Sequence, residues 1–391
     1  MTLILEDDIL NRVWTQRWLT GLAVLAAVLL TASGCTPGDR AASWTGMAIV
    51  GERLYAADLQ QARAMEPASG ATIWTFPADP EEVDRGLFYA TPAVTEGGLV
   101  LVASEVTTGG FLGQRESIVW GLDAETGAAQ WSFDGARGMY VEGGALGNGV
   151  FVIGNGDGNV YALDAESGTL QWTFETGHRV WATPLVVGDV VYVGAMDRNL
   201  YALEVHTGRV VWEFSAGGAF GGTPILMDGT LYIGGFDNTF YAIDSETGSE
   251  QWRFEGQDWF WGGPAAHNDT VFAVDVEGRV YALDAANGEV RWRRSLVTDQ
   301  NEPVPVRAGP VFDEESGQLF VSTETGTLYA LDPADGSTNW RRTADGRGLS
   351  EPVVSESLVY QTLILGTHRI RALQIGDGAD AWAFPPAGLE E

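Results

Sequence analysis

The 391-residue sequence predicts an all-β fold, an eight-bladed β-propeller built from four-stranded antiparallel blades. Three observations predict it. A twelve-residue phrase, clearest as YALDAESGTLQW over residues 161–172, occurs in eight recognisable copies. The tryptophans that close the copies stand at 74, 131, 172, 212, 252, 292, 340 and 382, so four successive intervals are 41, 40, 40 and 40 residues. Between the copies lie short apolar runs parted by turn residues, and the 51 Gly and 15 Trp suit many short strands joined tightly.

The phrase itself reads as a hairpin. Its first half alternates as a strand, the Asp-x-x-(Ser/Thr/Asn)-Gly step is a turn whose Gly takes positive φ, and the second half is a strand ending in Trp. Close copies occupy residues 120–131, 201–212, 241–252, 281–292 and 329–340, and worn ones 63–74 and 371–382. The Asp is expected to accept turn amides, a role that Glu66, Glu204 and Gln374 take over in three copies. One structural role accounts for all these acids together, so a catalytic one is not assigned. Trp74, Trp131, Trp172, Trp212, Trp252, Trp292, Trp340 and Trp382 are expected to dock neighbouring blades, each ring burying roughly 150–250 Å².

In chain order, residues 1–35 read as a leader. Arg12 and Arg17 precede an apolar run from Trp18 to about Leu30, then small residues reach Cys35. The run is short for a span of about 20 residues. The stretch resembles a bacterial lipoprotein signal in which Cys35 is lipidated; an uncleaved anchor and plain secretion are the alternatives, and each places the body outside the cytoplasm. Residues 36–43 read as a polar tether and 44–386 as the propeller. The blades are expected at 44–77, 88–134, 141–175, 181–216, 221–255, 261–294, 307–342 and 349–385. In the fourth, residues 182–189, 190–196, 199–205 and 210–215 are the four strands, and the middle two are apolar almost throughout. Such strands have both faces covered. Each sheet is then sandwiched between two others, and because the terminal copies keep Trp74 and Trp382 the row closes into a ring, by face packing or by an exchanged strand. Insertions at 77–87, 106–116 and 295–306 break the symmetry.

Composition excludes several chemistries. The net charge is −31 and all 22 basic residues are Arg, so there is no P-loop lysine, Schiff base or Ser-x-x-Lys pair. So acidic a chain speaks against nucleic acid as a partner. Cys35 is the single cysteine and forms no intramolecular disulfide. His178, His206, His267 and His368 lack metal-ligand spacing, and no metal is expected. Gly154, Gly156 and Gly158 imitate a dinucleotide fingerprint but lie in a hairpin instead of opening a helix.

The phrase YALDxxTGxxxW, at this period and copy number, resembles the repeat of the quinoprotein-like eight-bladed propellers over residues 44–384. That superfamily holds dehydrogenases dependent on pyrroloquinoline quinone. It also holds non-enzymes, among them propeller lipoproteins of the outer-membrane β-barrel assembly machinery. The resemblance implies two functions. One is a membrane-tethered, extracytoplasmic scaffold, monomeric and cofactor-free, that binds an envelope or secreted protein. The other is a dehydrogenase holding the quinone with calcium. The body lacks the paired cysteines of the methanol-type enzymes, and no acid–amide set matches their calcium site, which favours the scaffold. A third reading is binding of glycans or envelope polymers.

A ligand site is expected at one mouth of the central channel. Counting three residues back from the start of each innermost strand gives Trp44, Tyr89, Val141, Trp181, Gly221, Trp261, Arg307 and Leu349 as one layer. Its aromatics and Arg307 could clamp a flat acidic ligand, engage a peptide or plug the channel. Asp258, Trp259, Phe260 and Trp261 form the richest loop, with His178 and Arg179 near by register. In the dehydrogenase reading Trp181 or Trp261 is the stacking floor and Arg307 lies beside the quinone oxygens.

Overall fold

The computed structural model describes residues 45–58, 60–79, 86–108, 114–298 and 300–386. The leader, tether, Cys35 and Trp44 lie outside the described residues.

Eight sheets of four antiparallel strands each are built from consecutive strands. They run Gly46–Phe76, Leu87–Ala136, Gly144–Glu175, Leu185–Ser215, Ile225–Glu255, Ala265–Ser295, Val311–Thr343 and Val353–Phe384. In the fourth blade the strands from axis to rim are Leu185–Val187, Val190–Gly194, Asn199–Glu204 and Val210–Ser215. The second strands are buried along nearly their whole length, as Val150–Gly154 and Leu358–Thr362 show. Their side chains feed eight core clusters, and each cluster joins two neighbouring blades.

One of the eight clusters spans the last and first blades: Met47, Leu54 and Met65 pack with Leu358, Tyr360 and Ile370. The ring therefore closes by face packing, with no strand exchanged. At the same seam the Ser350 and Thr362 hydroxyls donate to the Thr45 carbonyl.

The repeated phrase does what its chemistry requires. The eight turn glycines take φ of 68–73°. Asp123 and Asp244 each accept two amides and a Thr hydroxyl of their turns, which holds both carboxyls below their ordinary range. Each closing indole lies against the turn glycine of the next blade, where an added Cβ would sit 2.3–2.7 Å from the ring. Seven of the eight indole N–H groups also donate, over 2.7–2.9 Å, to the carbonyl just after the next blade's capping residue. The exception is Trp131, whose buried Nε1 has no partner. Its own blade carries Gly121 where other copies have Ala, and the ring presses so close that a Cβ there would lie 2.2 Å from it.

The prolines of the last five blades precede their innermost strands, Pro184 before Leu185 for example, because Pro has no N–H for the ladder; Pro92 sits inside its strand at an irregularity in register. The insertion at 295–306 turns inward, burying Leu296, Val304 and Val306 between the sixth and seventh blades.

Candidate functional site

At one end of the ring, in the third to eighth blades, the segment entering the blade meets the turn between its second and third strands. The amides of Met196, Phe236, Val276 and Glu324, one in each of four such turns, donate over 2.9 Å to the carbonyls of Arg179, Ala219, Trp259 and Pro305. Two rows of side chains thus gather round the axis. One row comes from the entering segments and the other from the turns.

Four aromatics form a connected stack there. Trp181 and Trp261 lie 6.0 Å apart at 30°, Phe236 stacks on Trp261 at 4.9 Å, and Trp259 stacks on Phe236 at 5.5 Å and 13°. Phe236 fills the place left open by the fifth blade's Gly221, where a Cβ would meet its ring at 2.7 Å. The Arg307 guanidinium lies 4.8 Å from the Trp261 ring, and Arg179 lies 6.0 Å from Trp181. Glu324 holds Arg307 at 2.7 Å and also binds Arg347. Burial works to raise the Glu324 carboxyl, but the hydrogen bonds from the two arginines outweigh it and hold the group below its usual range. Trp259 is 47% exposed and forms the solvent end of the stack.

Of the sequence-predicted residues, Trp181, Trp261, Trp259, Arg307 and Arg179 come together. Trp44 lies outside the described residues. Two are corrected. Tyr89 is 8% exposed and belongs to the core between the second and third blades. Phe260 is 1% exposed and packs edge-on to Phe240 and Tyr281, because its N–H bonds the Gly235 carbonyl and turns the ring inward between exposed Trp259 and half-buried Trp261. Asp258 accepts the Trp259 amide at 2.9 Å and so shapes its own loop. His178 is exposed, and its carbonyl accepts the Thr176 hydroxyl. Val141 and Leu349 are buried and line the channel wall.

Phe236 and Glu324 were missed. They occupy equivalent turn positions, shown by their matching amide bonds, whereas equivalent positions elsewhere hold Gly156, Met196 and Val276. A register comparison of those turns carries the signal.

Inside the mouth lies an axial cavity of about 150 Å³, lined by Thr45, Thr91, Thr183, Thr223 and Ser350 among others. Glu142 and Glu351, from the entries to the third and eighth blades, open into it. Glu142 accepts the amide and hydroxyl of Thr183 at 3.2 and 3.4 Å, and Glu351 accepts the Gly309 amide. Glu142 is half-buried and Glu351 is exposed to the channel solvent, although protein surrounds both carboxyls at longer range. Desolvation, followed by the charge of Glu351, pushes Glu142 up to about 8; desolvation pushes Glu351 up to about 7.

A family profile described as outer membrane protein assembly factor BamB matches residues 11–142, 115–220, 199–316 and 300–389. The chain belongs to that family. No curated protein matches the sequence. Among solved structures, BamB from Moraxella catarrhalis superposes with a TM-score of 0.65 at 19% identity, covering 83% of this chain and 92% of that one. The computationally designed Ika8 protein gives 0.69 at 14%, with 85% and 97% covered. A europium-containing methanol dehydrogenase gives 0.61 at 16%, with 76% and 77% covered. At these identities the likenesses show a shared fold.

Pyrroloquinoline quinone, a flat polycarboxylate, does not fit the residues of this BamB-family mouth. Trp261 already carries Phe236, Trp181 and Arg307 against its ring, and the Arg307 guanidinium is bound to Glu324. Among the described residues no three His, Cys, Asp or Glu side chains converge as a metal site.

Proposed function

We propose that this chain is a scaffold of cell-envelope assembly that binds a protein partner at the aromatic mouth, tethered through a lipid on Cys35. The observation that carries this reading is the stack Trp181–Trp261–Phe236–Trp259, which ends in a half-exposed indole and holds the Arg307 guanidinium against Trp261. Aromatic and Arg side chains in rigid settings are the usual anchors of protein interfaces. Membership of the BamB family supports the assembly role.

Site-specific photo-crosslinking in the native cell tests it. A crosslinking residue in place of Trp259 is expected to trap a defined envelope protein, and one in place of Asp228, on a turn at the opposite end of the ring, is not. Equal trapping from both positions, or none from either, would remove the mouth as the docking site. Radiolabelled palmitate on the wild type, absent from Cys35→Ser, tests the tether. The dehydrogenase reading rests on fold likeness alone. Added quinone and calcium are expected to leave tryptophan fluorescence and dye reduction unchanged, and saturable quenching with substrate oxidation would reverse the choice.

A further inference from the structure

We infer that the axial cavity binds an alkylammonium group, with its charge between Glu142 and Glu351 and its alkyl stem toward Trp181 and Trp261. This goes beyond the docking mouth, and it stands without that reading, because the ligand enters the channel whatever lies on the rim.

The two carboxylates come from different blades and share one cavity, and among the described residues neither forms an ion pair with an Arg or His. Arg307 also reaches the wall, where Glu324 and Trp261 hold its guanidinium. The chain contains no lysine, so an amine on an alkyl stem must come from outside. Threonine hydroxyls on the lining offer further acceptors for an ammonium, which has three donors.

Size and entrance point the same way. A cavity of roughly 150 Å³ takes a benzene-sized molecule, close to the bulk of a four-carbon amine. A divalent metal asks for about six or more oxygens in a tight shell, and this space is too wide to supply one. Trp181 and Trp261 precede the lining residues Thr183 and Gly262, and the chain enters each blade from the mouth, so both indoles stand on the path of an arriving cation. Surrounding protein raises both carboxyls, and the charge of Glu351 adds to this at Glu142, so the ammonium exchanges with a proton and binds better as pH rises.

Titration calorimetry on the purified full chain tests the inference, with n-butylammonium chloride for a free amine and a capped Gly-Gly-Lys-Gly-Gly peptide for a lysine side chain. Saturable binding is expected at about pH 8.5, weakened about tenfold or more at about pH 6, a step of roughly 1.4 kcal/mol. It is expected to be lost in Glu142→Gln/Glu351→Gln and weakened in Glu351→Gln alone, with circular dichroism unchanged. Peptide binding assigns the source to a partner's lysine, and butylammonium binding without the peptide assigns a free amine. The inference is overturned if neither binds, if binding survives in the double variant, or if calcium chloride binds at these glutamates while both amines do not. Crosslinking from Trp259 needs neither glutamate, so the two ideas fail separately.

Discussion

The indole N–H of Trp382 donates to the carbonyl of Pro67 over 2.7 Å, joining the eighth blade to the first across 315 residues of sequence. The same indole lies against Gly70, so one side chain supplies both a hydrogen bond and an apolar contact to the closing seam. Six other blade interfaces repeat this bond, and the ring is locked by the device that builds it.

Trp382→Phe removes the donor and leaves the Pro67 carbonyl without it. The expected loss is about 1 kcal/mol for the hydrogen bond, added to the loss of ring area. Trp131→Phe is the control, because its Nε1 has no partner to lose. Urea midpoints should fall further for Trp382→Phe than for Trp131→Phe, and the reverse order would remove the seam bond as a stabilising contact.

Gly248 and Gly229 both take positive φ, 71° and 77°, but only Gly248 faces a neighbour, the Trp212 ring, where a Cβ would sit 2.7 Å away. Alanine at either site carries the left-handed backbone cost of about 1–2 kcal/mol. Gly248→Ala is expected to lose at least about 1 kcal/mol more, since a packed indole must shift. Equal unfolding midpoints for the two variants would show that the indole yields freely.

Glu142 and Glu351 have folded-state pKa values of about 8 and about 7, above the 4.5 of the free side chain. The folded chain therefore holds more protons than the unfolded one between about pH 4.5 and 8, and by linkage stability falls as pH rises through that window. Their contribution is fully present below about pH 4.5. Melting curves of wild type and Glu142→Gln/Glu351→Gln should diverge with rising pH, the variant losing less. Parallel curves would place the titration elsewhere.

Trp259→Ser removes the exposed end of the stack, so its cost in stability should stay within about 0.5 kcal/mol. Partner capture, read by a crosslinker at the neighbouring Asp258, is expected to drop severalfold. An unchanged yield would locate the contact away from this indole.

The sequence alone determined the eight-fold repeat, the four-strand blade, the turn chemistry and the docking tryptophans. Each of these is a local rule written eight times, and repetition makes a local rule readable. It also placed Trp181, Trp261 and Arg307 in one layer, because repeat register converts directly into height along the axis. Tertiary structure decided the rest. Trp259 faces water and Phe260 the core because a backbone bond to Gly235 sets the rotation of that loop. Phe236 reaches Trp261 because Gly221 leaves room for it. Glu142 and Glu351 are 209 positions apart and meet only because a closed ring brings every blade entry to a single axis. Contacts between dissimilar residues of different blades obey no period, so they become visible only once the ring is closed.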